Sequence, residues 1–204
     1  MKKLVVLFVA VGGLTLGTTL HANLIGLDYA DDGDGALTCS YYWNLAEELT
    51  TTGNQYSAPG HMVGTLYADT PEDPTLIIRN ILDNDTDFTW YSYSIAVSLN
   101  KSFVLSDAIA YGPADWTSYI TQPVFNSGSG LYVGQVSFNA GTPIQIGETF
   151  DFGYKMVFSG AVQYSFVQEL APSVEPVPEP SSWALMLFGM GALMIIRRLS
   201  ASRA

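Results

Sequence analysis

The chain has 204 residues, a formal net charge of −11 and a single cysteine. Residues 23–180 contain all nineteen acidic residues but only three of the eight basic ones, so this segment carries a formal charge of −16. Because nucleic-acid binding needs clustered Lys and Arg, this charge excludes a nucleic-acid partner. The lone Cys39 excludes an intramolecular disulfide, so the domain must be held together by its core.

The first 22 residues have the layout of a secretory signal peptide. Lys2 and Lys3 form a positive start, Leu4 to Leu16 form an apolar stretch, and Ala22 is a small residue at a suitable cleavage position. We therefore predict a cleavable signal peptide over residues 1–22, which delivers the chain to the export machinery.

An acidic stretch, DYADDGDG, follows at residues 28–35. Its carboxylates on a glycine-containing turn could hold Ca²⁺, which prefers oxygen ligands, but their spacing does not fit an EF-hand. Blocks of like charge usually stay solvated, so a solvated, flexible segment is the simpler interpretation. We keep Asp31, Asp32 and Asp34 as a weak candidate calcium site and include Asp28 in the acidic cluster.

Strand-like alternation dominates residues 23–170. In TFDFGYKMVF (149–158) an aromatic or apolar side chain occupies every second position, and TWYSYSIAVSL (89–99) repeats this pattern. Further strands are predicted at GTLYAD, TLIIRNI, LYVGQVSF and VQYSFVQ, with turn-rich stretches such as NSGSG between strands. The predicted fold class is all-β: an antiparallel β-sandwich or jelly-roll-like ectodomain over residues 23–170.

Only YWNLAEEL, at residues 42–49, suggests a helix, and a short one. Most aromatic residues of the strands are expected to pack in the core. Trp43 and Trp116 are the best candidates for the surface, where an aromatic face can stack against a sugar ring. They are our weak candidates for ligand binding.

No residue is predicted to be catalytic. His61 is the only histidine after residue 22, no Gly-x-Ser-x-Gly motif occurs, and a Cys39–His61 pair has no supporting local signature. The shortage of His and Cys also disfavours zinc, and no cofactor is predicted. Two carboxylates alone can hydrolyse a glycosidic bond, so a glycosidase or lyase stays open as an alternative.

The C-terminal end has the character of a membrane-associated tail. A proline-rich spacer at residues 171–180 precedes an uncharged apolar run of fourteen residues. As a helix this run spans about 21 Å, short of the roughly 30 Å hydrocarbon core. We predict a short transmembrane helix over residues 181–196, with Arg197 and Arg198 as a membrane stop. Residues 197–204 form the predicted basic cytoplasmic tail, which places the β-domain outside.

The segment VPEPSSWALMLFGMGALMIIRR resembles the PEP-CTERM sorting signal of exported bacterial proteins. Pro178, Glu179 and Pro180 match its name-giving motif, and Arg197 and Arg198 match the basic stop after its glycine-containing apolar helix. The resemblance covers only this tail. It implies a Gram-negative host, processing by the membrane-embedded peptidase exosortase, and transient anchoring in the inner membrane. It also implies delivery to the outer surface or medium, often together with exopolysaccharide and biofilm.

From these features we expect an exported, exosortase-processed surface or extracellular-matrix protein. Its ectodomain is expected to be a non-enzymatic structural or adhesive component associated with exopolysaccharide. A polysaccharide-modifying enzyme is the first alternative, and a calcium-dependent adhesion domain is the second. For the tail, the alternative is a permanent membrane anchor, although so short a span anchors poorly.

Overall fold

The computed structural model describes residues 22–44 and 47–174. The predicted signal peptide (apart from Ala22), most of the spacer, the predicted transmembrane helix and the basic tail lie outside the described residues. In the part of the chain that is described, no helix has the length and hydropathy that a membrane span requires.

Eleven β-strands make up the described domain. In chain order they are β1 (Leu24–Asp31), β2 (Leu37–Trp43), β3 (Glu48–Gln55), β4 (Gly60–Ala68), β5 (Thr75–Asn84), β6 (Ser92–Leu99), β7 (Phe103–Gly112), β8 (Thr117–Asn126), β9 (Leu131–Asn139), β10 (Thr149–Phe158) and β11 (Gln163–Ser173). The NSGSG stretch, predicted to be a turn, connects β8 to β9 as a hairpin loop.

The strands form two sheets that pack face to face, which confirms the all-β sandwich. The sheet that we call sheet A has six strands in the order β1-β4-β11-β6-β9-β8, and sheet B has five in the order β2-β3-β5-β10-β7. The prediction of a purely antiparallel sandwich is wrong at one place, because β3 and β5 are parallel. Between them the chain crosses to sheet A as β4, so it re-enters sheet B in the same direction.

The short helix predicted at residues 42–49 is wrong for the residues that are described. Tyr42 and Trp43 end β2, where they pair with Thr50 and Leu49 across an antiparallel hairpin with β3. The spacing that suggested a helix reflects only residues that are close together in the sequence. The hairpin, in contrast, hydrogen-bonds β2 to β3 and buries Leu49 completely. Tertiary packing therefore overrides the local preference.

The core lies between the two sheets and is formed by alternating side chains. On β6 the inward residues are all fully buried, and β10 supplies a facing row of aromatic residues. The ring of Tyr93 from sheet A lies 5.5 Å from that of Phe150 and 5.1 Å from that of Phe152, both from sheet B. Burying each such side chain stabilises the fold by about 1.5–3 kcal/mol.

Polar side chains also cross the core and join the two sheets. The Tyr93 hydroxyl of sheet A donates to Gln55 Oε1 of sheet B at 2.5 Å, and Gln55 Nε2 donates to the Leu170 carbonyl of sheet A at 3.0 Å. The Tyr154 hydroxyl of sheet B donates to Gln168 Oε1 of sheet A at 2.5 Å. Because burial raises the pKa of Tyr93 and of Tyr154, both hydroxyls stay protonated and serve as donors.

Candidate functional site

The acidic stretch lies partly at the end of a strand and partly in the turn that follows, and its carboxylates have different contacts. Asp31 ends β1, and its carboxylate accepts the backbone N–H groups of Gly33 at 3.1 Å and Cys39 at 3.3 Å. Asp31 therefore ties the β1–β2 turn together and is not directed at the other predicted metal ligands. Burial, and secondarily the charge of Asp31, raise the pKa of the Cys39 thiol, which keeps it protonated and unreactive.

Asp32 and Asp34 instead converge on His61, which lies on β4. His61 Nδ1 is 3.3 Å from Asp32 Oδ2 and 3.7 Å from Asp34 Oδ2, while Nε2 is 3.9 Å from Glu169 Oε2. The three potential ligand atoms of Asp32, Asp34 and His61 lie within 4.8 Å of one another. The N–H of Ala36, which donates to Asp34, is the main reason that the pKa of Asp34 is lowered.

This arrangement changes the composition of the predicted calcium site. Two of its three carboxylates meet, but the third is replaced by an imidazole, and Ca²⁺ prefers six to eight oxygen ligands. One nitrogen with two carboxylates is a donor set more typical of zinc or other transition metals. His61 was missed because it is distant from Asp34 in the sequence, and only the pairing of β1 with β4 brings them together. Calcium binding stays a prediction.

The two tryptophans predicted to lie on the surface are placed differently by the structure. Trp116 is 95 % buried: its indole stacks at 4.7 Å on Phe150, and Nε1 donates to the Thr142 carbonyl at 2.6 Å. The expectation that Trp116 is exposed is therefore wrong, because the loop before β8 folds its ring over the end of the core. Trp43 is half-buried against the core, and its indole N–H is enclosed.

The exposed aromatic residues that the structure describes on the outer face of sheet B are two tyrosines. On the outer face of sheet B, Tyr42 is 70 % exposed and Tyr111 is 47 % exposed. Tyr111 reaches across Gly153 of β10, where a Cβ would lie only 3.1 Å from the tyrosine ring. The Arg79 guanidinium lies over this ring, 5.0 Å from its centroid. Asp151 accepts from Arg79 Nε at 2.9 Å and from Nη2 at 2.6 Å.

Sequence reasoning missed this tyrosine–arginine arrangement. The one local signal was Gly153, which interrupts the outward positions of a strand that otherwise carries side chains throughout. A glycine inside a strand often marks a close approach by another group. Which group approaches is decided by the pairing of β10 with β5 and β7, and that pairing is not visible in a single strand.

An open groove of about 600 Å³ lies along sheet A, where β1, β4, β6 and β11 meet. Small and apolar side chains form most of its wall, together with the rings of Tyr29 and Tyr41. Asp28 is the only carboxylate among the residues that line it. Hydrolysis of a glycosidic bond by the usual mechanism needs two carboxylates, so the lining of this groove does not supply that pair.

Comparison with known proteins concerns the tail alone. Residues 176–200 match the family model of the PEP-CTERM protein-sorting motif. No curated protein and no solved structure matches the chain. The predicted resemblance of the tail is thereby confirmed, with the motif residues Pro178, Glu179 and Pro180 and the stop residues Arg197 and Arg198 inside the matched range. The chain carries a PEP-CTERM sorting motif at its C-terminal end, which makes it an exported protein directed to exosortase.

Proposed function

We propose that this protein is a non-enzymatic structural or adhesive component of the cell surface or extracellular matrix, associated with exopolysaccharide. The observation that carries the proposal is the sorting motif at residues 176–200, which follows directly on a β-sandwich. The motif directs the chain to exosortase and to transient anchoring in the inner membrane. An acidic sandwich domain then remains on the outside, free to contact matrix polymers.

Two features of the domain favour a binding role over an enzymatic one. The groove on sheet A has a single carboxylate, Asp28, in its lining. The Cys39 thiol has a raised pKa, which disfavours it as a nucleophile. We therefore propose that this domain binds a polymer and does not catalyse a reaction.

The test uses the full chain in its own host. We expect the exported protein to be retained on beads that carry the host's exopolysaccharide, and deletion of its gene to weaken the biofilm. Reducing ends are measured in the same incubation, because their release would favour the polysaccharide-modifying enzyme. If the protein is not retained and deletion leaves the biofilm unchanged, the proposed function is wrong.

A further inference from the structure

We propose that the outer face of sheet B, centred on Tyr111, is a binding surface for an uncharged polysaccharide chain. This inference rests on the proposed function, and it names the surface and the class of polymer. The inference is based on the ring of Tyr111, which is held in place beside the hydrogen-bonding groups of Arg79 and Asp151. All three side chains lie on the face of sheet B that points away from the core.

Tyr111 is held in place although half of its side chain is exposed. Its ring packs so closely on the backbone of β10 that Gly153 is buried even though it lies on the outer face. The Arg79 guanidinium lies over the ring, 5.0 Å from its centroid, and Tyr111 still keeps 47 % of its surface exposed to a ligand. A ring fixed in this way loses little conformational entropy when a sugar ring stacks on it.

Arg79 and Asp151 supply hydrogen bonds at the edge of this ring. Their two parallel bonds use two of the five N–H donors of Arg79, and no other described residue accepts from the rest. The paired guanidinium and carboxylate present donors and acceptors in one plane, at fixed positions. Neighbouring hydroxyl groups of a sugar ring can both donate to and accept from such a pair.

A second exposed ring lies along the same cross-strand row. The register places Tyr42, Thr50, Arg79 and Gly153 opposite one another on β2, β3, β5 and β10. Three strand spacings separate the strand of Tyr42 from the backbone beneath the Tyr111 ring, a distance of about 14 Å. Two stacking rings at this separation suit an extended polymer better than a single sugar.

The charges favour an uncharged polymer. Arg79 and Asp151 neutralise each other, so the centre of the surface has hydrogen-bonding groups without net charge. The segment 23–180 as a whole carries −16, which repels a polymer of uronic acids. A neutral chain of pyranose rings is therefore the occupant that this surface fits.

The test is affinity electrophoresis of the full chain through gels that contain a soluble polysaccharide. The gels contain hydroxyethyl cellulose, konjac glucomannan, alginate or the host's exopolysaccharide, and the protein is kept in a polyoxyethylene detergent because sugar-headed detergents would compete. We expect retardation by a neutral polymer or by the host's exopolysaccharide. Tyr111→Ala should weaken the binding about tenfold, and Tyr111→Phe, which keeps the ring, should bind nearly as wild type.

Tyr119→Ala is the matched control, since Tyr119 is a strand tyrosine of similar exposure on the other sheet. Retardation that is the same in Tyr111→Ala and wild type would overturn this surface while leaving the proposed function intact. Retardation by alginate alone would overturn the choice of an uncharged polymer. A wild-type protein retarded in none of the gels would contradict the surface and the proposed function together.

Discussion

Replacing Gln168 by Leu tests whether the polar bridge across the core stabilises the sandwich. Gln168 is fully buried; it accepts from the Tyr154 hydroxyl at 2.5 Å and donates to the Tyr29 hydroxyl at 2.7 Å. Leucine fills a similar volume but leaves the Tyr154 hydroxyl without this acceptor, and a buried unsatisfied polar group costs about 1–3 kcal/mol. With the bond to Tyr29 also lost, we expect the free energy of unfolding to fall by about 3 kcal/mol.

A loss of this size should lower the Tm by roughly 6–12 °C in a domain of this length. Urea unfolding of the exported protein, followed through tryptophan fluorescence, to which the buried Trp90 contributes, measures the same loss at constant temperature. The matched variant is the double substitution Tyr154→Phe with Gln168→Leu, which removes both partners of one bond. It should be less destabilised than the sum of the two single variants. Additive effects, or a Gln168→Leu protein as stable as wild type, would refute this account of the bridge.

Three further predictions concern processing, pH and calcium. Glu179→Ala should leave an unprocessed, membrane-retained chain on an immunoblot of cell fractions, whereas the control Glu175→Ala should be processed normally; equal processing of both would count against a role for Glu179. The side-chain and backbone N–H groups of Asn23 lower the pKa of Asp69, so its stabilisation is present above the ordinary value of 3.8 and is lost as pH falls towards the folded value. Asp69→Asn should therefore lose less stability in acid than wild type, and identical acid unfolding curves would contradict this. The calcium-dependent alternative predicts that millimolar Ca²⁺ raises the Tm and that Asp32→Asn abolishes the increase; an unchanged Tm would contradict that alternative.

The sequence was most informative where structure depends on local alternation. The inward residues of β6 and β10 could be assigned because each strand repeats every two residues and is long enough to show it. The β8–β9 hairpin could be predicted from its Asn, Gly and Ser residues alone. These features need no knowledge of which strands become neighbours.

The features that sequence reasoning missed all depend on pairing between distant segments. Trp116 precedes a strand in a polar loop, and only the folded loop places its ring on Phe150. His61 meets Asp34 because β1 pairs with β4. Tyr111 meets Arg79 because both β7 and β5 pair with β10. The candidate sites are therefore properties of the strand order, which a single sequence does not determine.

The strand order also connects the fold to the sorting motif. The last strand of the described domain, β11, is an interior strand of sheet A and pairs with β4 up to Leu170 and with β6 up to Ser173. The hydrogen bonding of sheet A therefore includes residues that lie directly before the matched motif, which begins at residue 176. Five residues lead from Ser173 to Pro178, and they span at most about 18 Å. The motif Pro178–Glu179–Pro180 therefore begins within about 18 Å of the end of β11, so the described sandwich lies close to the segment that exosortase recognises.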